Sequence, residues 1–311
     1  MSGPSYSAVP PDMTMSEELL APVSAQVELC YQTFGDPQGE PLLLVMGLGG
    51  PMTWWPRELC VQLAEAGFHV VRYDNRDTGR SSRLAGRVTT ARLARAFVGA
   101  PAPAPYSITD LANDALGLMA HLGWGSAHVA GVSMGGMIAQ TMALAAPERV
   151  RSLTSIMSTT GRRAVGWQSP ALLPTLVAPR GPGREAYIRR ALLVWGIIGS
   201  PGFPQDEAEL RRRAGETWDR GIDEAGVLRQ MMAVVTQTDR TRRLAELRMP
   251  TLVMHGLADR MVHVSGGRAT AAAIRGAELV VVPGWGHDLP AALFPTFTRG
   301  IRRTADRAAS R

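Results

Sequence analysis

Short apolar runs bounded by turn residues alternate along this chain with longer stretches of helical periodicity. That pattern predicts a mostly parallel sheet whose strands are joined by crossover helices. Leu42-Leu43-Leu44-Val45 is continuously apolar, as a strand covered on both faces must be. Gly47, Gly49 and Gly50 follow it, and Pro56 opens a helix to about Ala66. Val70-Val71-Arg72-Tyr73 reads as the next strand, ending at Asp74. The stretch from Thr89 to Pro105, rich in Ala, Pro and Arg, is expected to wander over the surface. Ser107 has the side chain to cap a helix from about Ile108 to Leu122, with Asp110 as an acidic first-turn residue. Ala127 to Val132 predicts a strand running directly into Ser133, and Met134 to Ala145 a helix with Pro147 just beyond it. Val150 to Met157 is a further strand.

The texture changes from Ser158 to Arg243. Strand signals vanish, and Tyr187 to Ile198, Glu207 to Ile222 and Glu224 to Val235 read as helices. Strand patterning resumes at Thr251-Leu252-Val253-Met254 and at Leu279-Val280-Val281-Val282. A last helix is expected from about Pro290 to Ala305. The division that follows is a flexible tail over 1–20, a core made of 21–157 and 244–311, and a helical cap over 158–243.

Composition narrows the class. The chain has 311 residues, 45% of them hydrophobic and 19% charged, enough for one large α/β core. No apolar run reaches the 20 residues a membrane span requires, and residues 1–16 lack the pattern of a secretory leader. A cytoplasmic protein is therefore expected. The net charge is +6, and all 33 basic residues are arginines. They are scattered and lack the interleaved aromatics of a nucleic-acid reader, so no nucleic-acid partner is expected. Cys30 and Cys60 make neither a disulfide framework nor a metal site and read as small buried apolar residues. No metal and no cofactor are expected, and both monomer and homodimer remain open.

The candidate chemistry centres on Gly131-Val132-Ser133-Met134-Gly135. A serine hydroxyl is a poor nucleophile at neutral pH. It needs a base, an acid to orient that base, and donors for the developing oxyanion. Between a buried strand and a helix, the G-x-S-x-G run permits a tight turn that leaves the serine strained and exposed. His287, in Pro283-Gly284-Trp285-Gly286-His287, follows the last apolar strand and is the expected base. Asp259, in His255-Gly256-Leu257-Ala258-Asp259, is the expected acid. The strand from Val150 to Met157 ends without a carboxylate, and Asp288 is too close to His287 in sequence to orient it. The oxyanion donors are expected to be the main-chain N–H groups of Met134 and Leu48. The polar cluster of Asp74, Arg76 and Ser81 reads as scaffolding behind the Leu48 loop.

These residues resemble the α/β-hydrolase superfamily from about Val23 to Ala305. Within it, Leu43-Leu44-Val45-Met46-Gly47 and Arg72-Tyr73-Asp74-Asn75-Arg76-Asp77-Thr78-Gly79-Arg80-Ser81 look like the aclacinomycin methylesterase group of actinobacteria. Many superfamily members have His-Gly where this chain has Met46-Gly47, and Gly where it has Asp77. Both departures are shared with that group. The resemblance implies an α/β-hydrolase fold with a helical cap, and a cofactor-free carboxylic ester hydrolase that acts through an acyl-enzyme.

The expected substrate is a small-molecule ester, bulky and apolar, met by Trp54, Trp195, Trp218 and Trp285. A lactonase, a carbon–carbon bond hydrolase or a cofactor-free perhydrolase would use the same triad. A ligand-binding protein on a hydrolase fold is the alternative from another class.

Overall fold

A computed structural model of the chain describes residues 15–172, 175 and 181–309. Among the described residues, eight strands build one sheet: β1 (Leu19–Pro22), β2 (Glu28–Phe34), β3 (Glu40–Val45), β4 (Phe68–Tyr73), β5 (Ala127–Val132), β6 (Val150–Ile156), β7 (Thr251–Gly256) and β8 (Glu278–Val282). Their order across the sheet is β1-β2-β4-β3-β5-β6-β7-β8. From β4 to β8 all neighbours are parallel, and β1 and β2 add an antiparallel edge. The chain leaves β3 toward one side for β4, then crosses back to its other side for β5. Such a reversal opens a crevice at the carboxyl ends of the strands, where open α/β sheets bind their ligands. Because β3, β5, β7 and β8 run the same way, the loops that follow them meet at that edge.

The strand run Leu42-Leu43-Leu44-Val45 serves two cores. Leu43 and Val45 join the cluster under α3 (Ile108–His121) and α4 (Met134–Ala145), whereas Leu42 and Leu44 join the cluster under α1 (Arg57–Glu65). A side chain buried on each face at every step accounts for the absence of alternation. The α3 start carries the expected cap. The Ser107 hydroxyl accepts from the Asp110 N–H at 3.3 Å, and the Asp110 carboxylate accepts from the Ser107 N–H at 2.7 Å.

Four sequence expectations need correction. Residues 1–14 of the expected tail lie outside the described residues, but Met15 to Leu20 is fastened. Met15 bridges Phe34, the Ser16 N–H donates to the Thr33 carbonyl at 3.0 Å, and the Glu18 carboxylate pairs with Arg80 and Arg220. The stretch after Thr89 holds a helix, α2 (Thr90–Phe97). The Thr89 hydroxyl caps it by accepting from the Arg92 N–H, and Ala96 packs against Met232. Among the described residues, the α-helices between β6 and the last helix are α5 (Arg184–Ile198), α6 (Glu207–Asp219), α7 (Glu224–Val235) and α8 (Ser265–Ala273); α8 is an addition, hidden by its Gly-Gly start. The last helix, α9 (Phe294–Ala309), begins later than Pro290 because a 3₁₀ turn over Ala291–Leu293 intervenes. Cys30 and Cys60 are both buried and unpaired.

Candidate active site

β5 delivers Ser133 to the carboxyl edge of the sheet and α4 starts at the next residue. Ser133 is held at φ 57° and ψ −119°, a region that side chains with a Cβ rarely adopt. Strain of this kind costs about 1–3 kcal/mol and must be compensated by the surroundings. The flanking glycines show why the turn tolerates no bulk. A Cβ on Gly131 would lie 2.1 Å from the Gly135 carbonyl oxygen, and one on Gly135 would lie 2.1 Å from that of Val45. Among the described residues, the non-glycine positions with positive φ are Asp77, Ser133 and Met157, which follow β4, β5 and β6 at the same edge.

The loops after β7 and β8 supply the partners. His287 Nε2 stands 3.0 Å from Ser133 Oγ, and His287 Nδ1 stands 2.7 Å from Asp259 Oδ2. The other Asp259 oxygen accepts from the main-chain N–H groups of Met261 and Val262, at 2.9 and 2.8 Å. Burial pushes the Asp259 carboxyl upward. The charge of His287 and hydrogen bonds from His255 and His287 outweigh that and hold it well below the usual carboxylate range. Ser133, His287 and Asp259 are thus brought together as the sequence suggests. Asp288 is not part of this chain of contacts, because its carboxylate takes donors from Ser200 and Gln205 instead.

A further contributor comes from His255 and His263, the two histidines that bracket Asp259 in the sequence. His255, fully buried at the end of β7, places Nε2 2.8 Å from the Val262 carbonyl and 3.3 Å from Asp259 Oδ2. It braces the same turn that presents Asp259. His128 lies at the opposite edge of the sheet against Ser152 and Glu40, and His263 stacks on Trp167 at 4.1 Å.

Leu48 lies in the loop after β3, beside Ser133. A Cβ on Gly47 of this loop would lie 3.1 Å from that of Ser133, so the main chain passes directly over the serine. Met134 is the first residue of α4, and its N–H therefore has no acceptor within the helix. The positive end of the helix dipole adds to it. The Leu48 loop is held from behind: the Asn75 side chain donates to the Met46 carbonyl at 2.9 Å, and Asp74 accepts from the Met52 N–H at 2.6 Å. Ser81 Oγ in turn donates to the Asp74 carbonyl, and Arg76 pairs with Asp114 on α3. The polar cluster is scaffolding for the loop.

The segment between β6 and β7 reaches both halves of the site. From α7, Arg229 forms a two-pronged ion pair with buried Asp77, at 2.8 Å for each nitrogen, and Tyr106 adds its hydroxyl at 2.7 Å. After α5, the Ser200 hydroxyl accepts from the Gly286 N–H at 2.9 Å while donating to Asp288. Neither contact was visible in the sequence, since both join residues far apart along the chain.

The four tryptophans divide. Trp285 is 0% exposed, its ring edge-on to Phe297 and its N–H spent on the Asp288 carbonyl, so it is core and not pocket. Trp218 packs on Tyr187. Trp54 meets Trp195 edge-to-face at 5.3 Å. Trp195, with Trp167, Ile197, Leu210 and Leu257, lines a cavity of about 620 Å³ that reaches Asp259. This cavity opens beside the acid; neither Ser133 nor His287 is among its walls.

A hydrogen-bonded Ser-His-Asp series on a strained strand-to-helix turn of such a sheet defines a class. The chain belongs to the alpha/beta hydrolase fold family, whose model matches residues 40–290. It is 31% identical over 300 residues to rhodomycin D methylesterase DauP of Streptomyces sp. (strain C5), covering 89% of this chain and 94% of that protein. It is 30% identical over 303 residues to rhodomycin D methylesterase DnrP of Streptomyces peucetius, with the same two coverages. Among solved structures, the enol-lactonase of Burkholderia xenovorans LB400 superposes with a TM-score of 0.72 at 24% identity, over 93% of this chain and 100% of that one.

Proposed function

We propose that the protein is a serine esterase that cleaves carboxylic esters through an acyl-enzyme. The observation that carries this reading is the series Asp259–His287–Ser133, at 2.7 and 3.0 Å, ending on a serine at positive φ. His287 Nε2 takes the Ser133 proton as Oγ attacks the ester carbonyl. The N–H groups of Leu48 and Met134 receive the negative charge that develops on the carbonyl oxygen. Asp259 keeps the imidazole in the tautomer with a proton on Nδ1 and stabilises the cation that forms. His287 then protonates the leaving alcohol, and in the second half takes a proton from water to release the acid.

The similarity to two methylesterases supports a methyl ester of a bulky, apolar acid as substrate. Residues 158–243 would act as the cap that receives it, with Trp54 and Trp195 as apolar contacts. Trp218 packs on Tyr187 and does not line the cavity. The free thiols of Cys30 and Cys60 fit work in a reducing compartment.

The test is hydrolysis of p-nitrophenyl acyl esters, and methanol release from aromatic methyl esters, by the wild type and Ser133→Ala. Turnover should vanish in the variant, together with labelling by a fluorophosphonate probe, while the thermal midpoint holds. Wild-type turnover in Ser133→Ala would overturn the reading.

A further inference from the structure

Gln230, on α7, is 0% exposed and sits where three segments meet. Its side-chain oxygen accepts from the Gly49 N–H at 2.8 Å. Its side-chain nitrogen donates to the Arg76 carbonyl and to the Thr78 hydroxyl, each at 2.8 Å. Every hydrogen-bonding role of the amide nitrogen is used, and the oxygen holds the main chain one residue beyond Leu48. Asn75 holds the other flank through the Met46 carbonyl at 2.9 Å. Between these two fixed points the peptide planes of Gly47 and Leu48 have little freedom, although Gly49 itself has φ +67° and could otherwise swing.

We propose that Gln230 is a positioning residue for the oxyanion site: by fixing the Gly49 N–H it sets the direction of the Leu48 N–H. The inference rests on the reading above, in which that N–H faces the developing charge. Gln230 touches no reacting atom. Its effect enters because a donor aimed at the oxyanion must be in place before the reaction, and a displacement of about 1 Å costs about a hundredfold in rate. A merely structural glutamine would lower stability and leave the preference for a charged tetrahedral adduct untouched.

The experiment compares wild type with Gln230→Met, similar in length but without polar atoms, and Gln230→Glu, which keeps an oxygen for the Gly49 N–H. Four quantities are measured: kcat and KM for a p-nitrophenyl ester, the inhibition constant of a trifluoromethyl ketone whose adduct with Ser133 carries an oxyanion, and that of the matching secondary alcohol, which forms no adduct. In Gln230→Met, kcat should fall roughly 10- to 100-fold. Ketone affinity should fall in parallel, and KM and alcohol affinity should stay within about twofold. Gln230→Glu should recover part of the ketone affinity. Unchanged ketone binding in Gln230→Met, equal losses of ketone and alcohol, or no recovery in Gln230→Glu would each overturn the inference. Should Gln230→Met not fold, Thr78→Val releases one anchor of the amide. It should move ketone affinity in the same direction by about threefold, and no movement would count against the inference. Ser133→Ala, run alongside, separates the two levels. If it is inactive while ketone binding is unmoved by Gln230→Met, the role of Gln230 falls and the esterase reading stands.

Discussion

The main-chain N–H of His287 donates to the carbonyl of Ile198 at 2.7 Å. Ile198 is the last residue of α5, so its carbonyl has no partner within the helix and is free to take one from outside. The histidine that touches Ser133 is therefore hung from a helix of the segment between β6 and β7. Ser200 reinforces the tie through Gly286 and Asp288. Ser200→Ala leaves the Gly286 N–H unpartnered in a buried place and takes one donor from Asp288, which costs about 1–3 kcal/mol. A fall in thermal midpoint should be accompanied by a kcat reduced roughly tenfold with KM little changed, because a loosened base samples fewer productive geometries. Steady-state kinetics and a melting curve on the same preparation check both.

Asp259→Asn keeps the shape of the turn but exchanges a carboxylate for a group that can present an N–H to His287. The imidazole would then favour the wrong tautomer, and kcat should fall roughly 10³- to 10⁴-fold. A loss under tenfold would show that the imidazole is oriented by something else.

The Asp77–Arg229 pair makes stability depend on pH. Burial alone would raise the Asp77 carboxyl. The hydrogen bonds from Arg229, Leu84 and Tyr106 outweigh it and place the folded-state value below the ordinary 3.8. A depressed carboxyl contributes stability that is present above the ordinary value and is lost as pH falls through the folded one. Asp77→Asn should therefore cost about 1–3 kcal/mol at pH 7, where it removes one of the two carboxylates, Asp77 and Asp223, that pair with the buried Arg229. The gap to wild type should narrow as pH drops below 3.8. Urea unfolding at pH 7 and at pH 3 gives the comparison, and an equal gap at both would contradict it.

Two tryptophans should respond in opposite ways. Trp285→Ala removes a fully buried ring beside Phe297 and should cost about 3–5 kcal/mol of stability. Trp195→Ala takes a half-buried ring from the cavity wall and should act mainly on KM for bulky esters. Melting curves and KM values across a series of ester sizes distinguish the two.

The sheet and the Ser133 series were legible because their signals are local. Leu42 to Val45 of β3 and Val129 to Val132 of β5 are continuous apolar runs, and Gly131 and Gly135 mark the turn through backbone crowding that any side chain would violate. Asp259 and His287 could be picked out by their places after strands. The β1–β2 edge was missed because its four-residue first strand alternates weakly and is mostly exposed. α2 was missed because its short apolar face, Leu93 and Ala96, finds its main cover on α7, distant in sequence. Gln230, Ser200 and Arg229 left no trace because their partners lie 181, 88 and 152 residues away. Trp285 followed the motif around His287 into a pocket assignment, whereas its N–H and ring are used to pack the loop.

Gln230 and Ser200 also bear on how such proteins could be recombined. Both lie in the segment proposed above as the cap, the unit to exchange if it selects the substrate. Here that unit brings with it an acceptor for Gly49 and a hydroxyl for Gly286, on opposite flanks of Ser133. A chimera that imports a foreign segment without both groups should bind its new ester yet turn it over slowly. Restoring those two side chains in the graft should recover rate without altering selectivity.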